Sequence, residues 1–216
     1  MRKSPRKTAH LAVGLLLSFV LWTTLLCIVD VRTIGPRGSA VGFAAANEWV
    51  HHLTGVHLSL YTITDWLGLV PIGFAAGFAL LGLVQWVKRK RLSRVDVSLF
   101  VLGGFYLVVI AAYVLFETVV INYRPVLIDG CLEVSYPSST TLLVLCVMPT
   151  AILQFNSRIH SRPLKRWVCG SLRVFIVLMV VGRLISGVHW FTDIVGGALL
   201  STGLVMAYRY VVGLKS

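Results

Sequence analysis

The sequence predicts an all-α membrane protein, a polytopic bundle of six transmembrane helices with both termini in the cytoplasm. Hydrophobic residues make up 57% of the 216 residues and charged residues only 13%, which is typical of a polytopic membrane protein and not of a soluble domain. Six apolar runs are each long enough to cross a bilayer, which takes about 20 helical residues. The basic residues gather at the termini and in every second connection between spans, and all of these segments lie on the same side of the membrane.

The predicted spans, in chain order, are residues 10–31, 65–87, 97–120, 137–155, 167–185 and 193–212. The first run is long for the apolar core of a secretory signal, and Ala44-Ala45-Ala46 lies too far downstream to be its cleavage site. We therefore expect an uncleaved first helix. Between the first and second spans, residues 42–60 form an amphipathic stretch that contains Trp49, and we expect a short helix lying along the membrane surface there.

Membrane topology accounts for most of the net charge of +12, which would otherwise suggest nucleic acid binding. The basic clusters are residues 1–7, 88–94 and 158–166, with Arg173, Arg209 and Lys215 nearby. In a bundle of six helices they all fall on one side, which the positive-inside rule makes cytoplasmic. We therefore expect no nucleic acid partner, some attraction to anionic lipid headgroups, and a single domain, residues 1–216, in the cell membrane. The oligomeric state stays open.

Three polar clusters, residues 117–125, 136–140 and 182–193, are predicted at the outer ends of different helices. In the third cluster, a helix that begins near His189 would carry Asp193 one turn further along the same face. The carboxylate could then hold one imidazole nitrogen and leave the other free to attack. Ionisable groups beside apolar spans often mark a functional site. In the alternative interpretation these residues have no catalytic role. Arg183 and His189 then extend their polar ends to water at the membrane surface, and the aspartate stabilises a helix N-terminus.

The other two clusters suit an anion. Pro137 can begin a helix, so the amides and hydroxyls that follow would point at an anion on the helix N-terminus. These groups belong to Ser138, Ser139 and Thr140. Arg124 and Arg183 can each offer a planar fork to phosphate. Together with a histidine held by an aspartate, they predict phosphoryl transfer through a covalent phosphohistidine.

The order and spacing of these residues resemble the type 2 phosphatidic acid phosphatase family of membrane lipid phosphatases. The family pattern is Lys, six residues, Arg-Pro; then Pro-Ser-Gly-His; then Ser-Arg, five residues, His, three residues, Asp. The residues that match it in register are Arg124-Pro125, Pro137-Ser138, Arg183, His189 and Asp193. The resemblance covers the third to the sixth span, and the six-helix layout fits it. It implies that His189 is the nucleophile oriented by Asp193, that Arg124 and Arg183 bind the phosphate, and that the backbone near Ser138-Ser139 assists.

The sequence departs from the family pattern at four positions. Glu117 stands in place of Lys, Ser139 in place of Gly, Thr140 in place of His, and Gly182 in place of Ser. In the family that His protonates the leaving oxygen, and such a helper contributes roughly a hundred- to ten-thousand-fold in rate.

Three interpretations of these departures stay open. The substrate has a good leaving group, as in a lipid diphosphate; Glu117 serves as an accessory acid; or the protein binds lipid phosphates without hydrolysing them. We expect an enzyme that hydrolyses a lipid diphosphate or lipid phosphate at the outer face, with an isoprenyl diphosphate such as undecaprenyl diphosphate favoured. The lipid is its expected partner.

Weaker patterns point elsewhere. Glu48, His51, His52 and His57 have a spacing found in metal sites, but interfacial histidines beside Trp49 are the preferred interpretation. We therefore expect no metal and no cofactor. The sequence has no internal repeat and its polar groups gather at one face, which disfavours a small transporter. The four cysteines are scattered and predict no structural disulfide.

Overall fold

The computed structural model of the protein describes residues 5–214, which form eight α-helices; the longest connections are residues 29–43 and 119–138. They are α1 (Pro5–Ile28), α2 (Ala44–Thr54), α3 (Leu58–Leu67), α4 (Leu69–Arg89), α5 (Val97–Thr118), α6 (Ser139–Arg158), α7 (Arg162–Ile185) and α8 (Phe191–Leu214). Within this range extended backbone pairs only as isolated bridges. The predicted all-α class is therefore confirmed. Arg2, Lys3 and Lys215, which entered the charge argument, lie outside the described residues.

Six helical segments are long and apolar enough to cross a membrane, as predicted. They are Arg6–Ile28, Leu58–Arg89, Val97–Thr118, Ser139–Arg158, Arg162–Ile185 and Phe191–Leu214. The second differs most from the prediction, because it begins at Leu58 and not at Asp65. Only Gly68 separates α3 from α4, and its backbone stays in the right-handed helical region, with φ −60° and ψ −18°. Apolar residues on both sides then allow one long span.

The surface helix predicted over residues 42–60 is shorter in the structure. It is α2 alone, and it ends at Gly55, whose φ of +67° a glycine adopts without strain. Trp49 on this helix is 65% exposed, as expected of a side chain at a membrane surface. The later part of the predicted stretch belongs to α3 and so to the second span.

Helices α6 and α8 are the most buried of the spans and form the centre of the bundle. Helix α1 packs against α8 more extensively than any other pair of helices in the described residues. A Cβ atom at Gly203 of α8 would lie 2.8 Å from Cδ2 of Leu16, so glycine allows this close approach. The packing fixes α8, whose first turn carries Asp193.

The connection between α5 and α6 folds back on itself at one end of the bundle. Residues 121–136 turn back on themselves: the amide of Arg124 donates to the carbonyl of Glu133 at 3.0 Å, and the amide of Ser135 donates to the carbonyl of Asn122 at 2.9 Å. This pairing brings Arg124 and Ser135, eleven positions apart in sequence, to neighbouring places.

The loop between α7 and α8 packs against the connection between α2 and α3. The amide of His57 donates to the carbonyl of Ser186 at 2.9 Å. Gly187 has a φ of +67°, and a Cβ atom there would lie 1.8 Å from the carbonyl oxygen of Gly55. Only glycine satisfies both conditions. The connection between α2 and α3 therefore fixes the loop that carries His189.

The opposite end of the bundle carries the basic clusters of residues 88–94 and 158–166, together with the acidic residue Asp96. Gln85 and Arg158 donate to its carboxylate at 2.9 and 3.0 Å, and Arg89 pairs with it at 3.2 Å. The hydrogen bond from Gln85, followed by those from the two arginines, lowers the pKa of Asp96. This network joins α4, α5 and α6 at the end away from His189.

Candidate active site

His189 lies in the loop between α7 and α8 and is 3% exposed. Its Nε2 atom is 3.3 Å from Nη1 of Arg124, and its Nδ1 atom is 3.2 Å from the hydroxyl oxygen of Ser135. A guanidinium group has only donors, so Nε2 must accept and is unprotonated. The proton of the neutral ring therefore lies on Nδ1, facing Ser135.

Asp193, in the first turn of α8, is fully buried and accepts hydrogen bonds on both oxygens. Oδ2 accepts from the amide of Trp190 at 2.9 Å and from the hydroxyl of Ser135, and Oδ1 accepts from the side chain of Asn122 at 3.2 Å. The distance from Oδ2 to Nδ1 of His189 is 3.7 Å, too long for a hydrogen bond. The carboxylate thus reaches the imidazole through the Ser135 hydroxyl.

Sequence reasoning missed Ser135 and Asn122. Both are buried, at 3% and 2% exposure, and both contact the carboxylate of Asp193. No spacing rule connects residues 122 and 135, because the folded-back loop brings them together. Asn122 lies two residues before Arg124, and Ser135 lies two residues before Pro137. This closeness to the motif residues was the signal that the sequence offered.

Arg124 is placed by two other residues besides His189. Its Nε atom lies 3.0 Å from Oε2 of Glu133, and its guanidinium carbon lies 5.6 Å from the ring centroid of Tyr61. The Glu133 contact is an ion pair and not a well-directed hydrogen bond, since Nε is buried without a hydrogen-bond acceptor among the described residues. Glu133 is 40% exposed.

Arg183 contacts the same tyrosine. Its guanidinium carbon is 4.7 Å from the Tyr61 ring centroid, a distance at which a cation is attracted to an aromatic face. Nη1 donates to the Thr64 hydroxyl at 3.2 Å and Nη2 to Asp65 at 3.4 Å. Its Nε atom, also buried, has no hydrogen-bond acceptor within residues 5–214. Helix α3 therefore gathers both predicted phosphate-binding arginines around Tyr61.

Burial and charge together keep His189 neutral. Desolvation is the largest cause that lowers its pKa from 6.5 to about 4, and the positive charges of Arg124 and Arg183 lower it further, against the opposing effect of Asp193. The imidazole is therefore neutral at pH 7. A neutral imidazole with a lone pair on Nε2 is the form that can act as a nucleophile.

The N-terminus of α6 lies beside this group. The amide of Ser138 donates to the carbonyl oxygen of Asp193 at 3.2 Å, and the Ser138 hydroxyl accepts from Thr141 at 3.1 Å. The amides of Ser139 and Thr140 have no helical acceptor, because they belong to the first turn. Neither Ser138 nor Thr140 hydrogen-bonds to His189.

Two adjoining cavities lead to His189. A small one of about 10 Å³, room for a single water molecule, is lined by His189, Ser139 and Glu117. A larger groove of about 500 Å³ runs between α4, α5 and α6, has mostly apolar walls, and includes Thr140 in its lining. Tyr113 and Ser139 line both. Glu117 therefore faces the same small cavity as the histidine, whereas Thr140 faces the groove.

Two other histidines at this end, His51 and His57, contact backbone carbonyl groups. Nε2 of His51 lies 3.1 Å from the carbonyl oxygen of Gly187, and Nε2 of His57 lies 2.9 Å from that of Thr54. Burial lowers the pKa of His51. Within residues 5–214, no three His, Cys, Asp or Glu side chains are arranged to hold a metal ion. All four cysteines are free thiols.

Comparison with known proteins supports the resemblance noted in the motifs. Residues 121–215 match the PAP2 superfamily. The fold is similar to the crystal structure of a transmembrane PAP2-type phosphatidylglycerolphosphate phosphatase from Bacillus subtilis, with a TM-score of 0.54 and 21% sequence identity over 94% of this chain and 96% of that chain. No curated protein matches the sequence. The family match over residues 121–215 and the shared membrane fold both support the family resemblance that the motifs indicate.

Proposed function

We propose that this protein is a membrane lipid phosphatase that transfers the phosphoryl group of a lipid phosphate or lipid diphosphate first to His189 and then to water. One observation carries the proposal. The Nε2 lone pair of a buried, neutral His189 faces Arg124, while Nδ1 is tied through Ser135 to Asp193. This is the arrangement expected of an oriented nucleophile beside a phosphate-binding cation.

In the first step, Nε2 of His189 attacks phosphorus and the bond from phosphorus to the leaving oxygen breaks. The ring becomes a phosphorylated imidazolium, whose positive charge is stabilised by Asp193 through the Ser135 hydroxyl. The leaving oxygen takes a proton from Glu117 or, in a diphosphate, departs as a weakly basic lipid phosphate. In the second step, water attacks phosphorus and the nitrogen–phosphorus bond breaks. The Glu117 carboxylate, formed in the first step or already ionised in the diphosphate route, accepts the proton of the water, and inorganic phosphate is released.

Two features support an anionic phosphate at this place. The buried Nε atom of Arg183 has no hydrogen-bond acceptor among the described residues, and that of Arg124 is held only by its ion pair with Glu133, whereas phosphate oxygens are strong acceptors. The free amides of Ser139 and Thr140 at the start of α6 are a second set of donors beside His189. In the structure Arg124 contacts Nε2 directly, so its guanidinium must move onto the phosphate oxygens when substrate binds.

The apolar groove supports a lipid substrate. It is about 500 Å³ in volume, adjoins the cavity at His189, and has walls contributed by three membrane-spanning helices. A lipid chain in this groove would leave its phosphate next to His189. We favour an isoprenyl diphosphate because Thr140 cannot protonate a leaving oxygen near neutral pH, and a diphosphate needs that help least.

We further propose that the site faces the outside of the cell membrane. The basic clusters, residues 88–94 and 158–166 among them, lie at the end of the bundle opposite His189. Basic connections stay in the cytoplasm during insertion, which places the histidine on the other side.

A second function is a lipid-phosphate-binding protein without turnover. It is favoured by Glu117 and Thr140, which replace a cation and an acid of the family pattern, and by the contact of Arg124 with the nucleophilic nitrogen. It would use the same arginines and the same groove.

Phosphate release from a panel of lipids separates the two functions. The purified protein should be assayed with an isoprenyl diphosphate, phosphatidic acid and phosphatidylglycerol phosphate, with His189→Ala as the control. We expect turnover in the wild type and none in His189→Ala, with lipid binding retained because both arginines remain. The labelled intermediate should be acid-labile, as a phosphohistidine is. Equal phosphate release by both proteins would exclude the histidine mechanism, and binding without turnover in the wild type would favour the second function.

A further inference from the structure

A second groove lies at the end of the bundle away from His189. It has a volume of about 380 Å³ and lies between α7 and α8, with α6 as its floor. Helices α7 and α8 both pack against α6 and touch each other little, which leaves the space between them open. Met206 of α8 completes this floor, whose residues Pro149, Leu153 and Met206 are apolar. No residue of this groove belongs to the candidate active site.

Two arginines, Arg173 on α7 and Arg209 on α8, line this groove. Both are exposed. Within residues 5–214, neither forms an ion pair with a carboxylate, and the groove lining itself contains no acidic side chain. The groove thus combines an apolar floor with two positive charges that no protein group neutralises there.

The depth of these arginines is unusual. Arg173 lies eleven residues into α7, roughly 16 Å of helix from its first residue Arg162. Arg209 lies five residues, roughly 8 Å, before the end of α8 at Leu214. A charged side chain in a membrane-spanning segment is costly and is a functional-site candidate by default.

The tilt of the two side chains brings their guanidinium groups to more similar depths in the membrane. Helical side chains tilt towards the N-terminus of their own helix. Helix α7 begins at the end of the bundle with the basic clusters, so Arg173 leans towards that end. Helix α8 begins at the His189 end, so Arg209 leans deeper into the membrane. The tilts therefore reduce the difference in depth between the two guanidinium groups.

We propose that this groove binds one anionic phospholipid from the leaflet at the end with the basic clusters. The headgroup phosphate lies between Arg173 and Arg209, whose planar forks match phosphate oxygens, and an acyl chain lies along the α6 floor near Pro149. A zwitterionic lipid would bring its own cation next to the two arginines. The groove therefore prefers lipids with a net negative headgroup.

The proposal is tested with the full-length protein in detergent, by native mass spectrometry after addition of phosphatidylglycerol or phosphatidylcholine. We expect one phosphatidylglycerol retained per chain and at least tenfold less phosphatidylcholine. Phosphatidylglycerol is a phosphodiester and carries no terminal phosphate for the candidate active site to remove. Equal retention of the two lipids by the wild type overturns the proposal, whatever the variants do.

Matched variants locate the bound lipid. Arg173→Gln with Arg209→Gln should lower phosphatidylglycerol retention at least tenfold. Arg91→Gln with Arg166→Gln removes the same charge from exposed positions at the same end but outside the groove, and should retain the lipid. Arg124→Gln, which weakens the candidate active site, should also retain it. Equal loss from both double variants, or loss from Arg124→Gln alone, contradicts a site in this groove.

An added excess of inorganic phosphate separates a lipid site from a site for the free anion. If the acyl chain contributes through the apolar floor, inorganic phosphate should leave retention of phosphatidylglycerol unchanged. Met206→Trp, which fills the floor and keeps both arginines, should lower retention. Displacement by inorganic phosphate together with full retention in Met206→Trp would show that the groove binds phosphate and not lipid.

Discussion

His189 and Asp193, four residues apart in sequence, are linked by a third side chain and not by a direct hydrogen bond. Nδ1 of the imidazole and Oδ2 of the carboxylate are 3.7 Å apart, and the Ser135 hydroxyl contacts both atoms. In the proposed mechanism the aspartate can therefore orient the histidine, and stabilise the positive charge of a phosphorylated ring, only as well as Ser135 transmits that interaction.

We predict that Ser135→Ala lowers kcat by ten- to a hundredfold and changes KM little, because Ser135 positions the nucleophile and does not touch the phosphate. Asp193→Asn should cost more, up to about ten-thousand-fold by analogy with orienting carboxylates in triads. Steady-state kinetics measures both effects. The matched control is Ser201→Ala, a buried serine of α8 whose hydroxyl contacts the backbone carbonyls of Leu142 and Gly197 and lies away from His189. If the two serine variants lose activity equally, Ser135 acts on folding alone.

The pH dependence of kcat/KM should report the low pKa of His189. Burial and the nearby arginines lower that pKa from 6.5 to about 4, so the imidazole stays neutral, and competent to attack, well below pH 6.5. As the pH falls through about 4 the ring gains a proton and the rate should fall. Removal of a positive charge in Arg183→Gln should raise this pKa and move the acid limb to higher pH. Nuclear magnetic resonance of isotope-labelled histidine, assigned with His189→Ala, follows the titration directly. A ring protonated at pH 6 would contradict the prediction.

The orientation in the membrane can be tested with a native thiol. Cys131 is exposed at the His189 end, whereas Cys146 and Cys169 are buried. In a Cys27→Ser background, a membrane-impermeant maleimide should label Cys131 in intact cells. In a variant with Leu92→Cys and Cys131→Ser, the thiol lies at the basic end and should react only after the cells are opened. The reverse pattern would place the site in the cytoplasm.

The parts of the fold that follow from local patterns were predictable from the sequence. Apolar runs gave six spans, and the motif spacing indicated His189 and Asp193, which the structure places side by side. The start of the second span at Leu58 was missed, because residues 58–60 belong to the amphipathic stretch that predicted a helix on the membrane surface.

Contacts between distant residues account for what the sequence did not reveal at the site. Thr64 and Asp65, which hold Arg183, precede it by more than a hundred residues. Ser135 reaches His189 because the loop of residues 121–136 folds back, and hydropathy or motif spacing carries no information on that pairing. The roles of Ser138, Ser139 and Thr140 stay predictions.

Glu117 and Thr140 line different cavities, and this difference yields a prediction on leaving groups. Glu117 shares the small cavity with His189, so we expect it to donate the proton to the leaving oxygen. Glu117→Gln should lower hydrolysis of phosphatidic acid by about a hundredfold or more, because an alkoxide needs a proton in the transition state. It should change hydrolysis of an isoprenyl diphosphate little, because the departing phosphate is a weak base. Glu133→Gln, which changes an acid bound to Arg124, should affect both substrates alike.

Thr140→His in the Glu117→Gln background completes this test. Thr140 lines the groove proposed for the lipid chain, and the leaving oxygen joins that chain to the phosphate. An imidazole at position 140 would therefore approach the leaving oxygen from the groove side. We expect the double variant to regain hydrolysis of phosphatidic acid, by up to a hundredfold over Glu117→Gln, without a matching gain on the isoprenyl diphosphate.

Thr140 is only 8% exposed, so a histidine there must displace neighbouring atoms, and binding of the lipid has to be measured alongside the rate. Unchanged lipid binding without any gain on phosphatidic acid would mean that position 140 does not face the leaving oxygen. If Glu117→Gln also hydrolyses both lipids at the wild-type rate, neither Glu117 nor position 140 provides the proton for the leaving oxygen. The proposed preference for diphosphates then loses its basis.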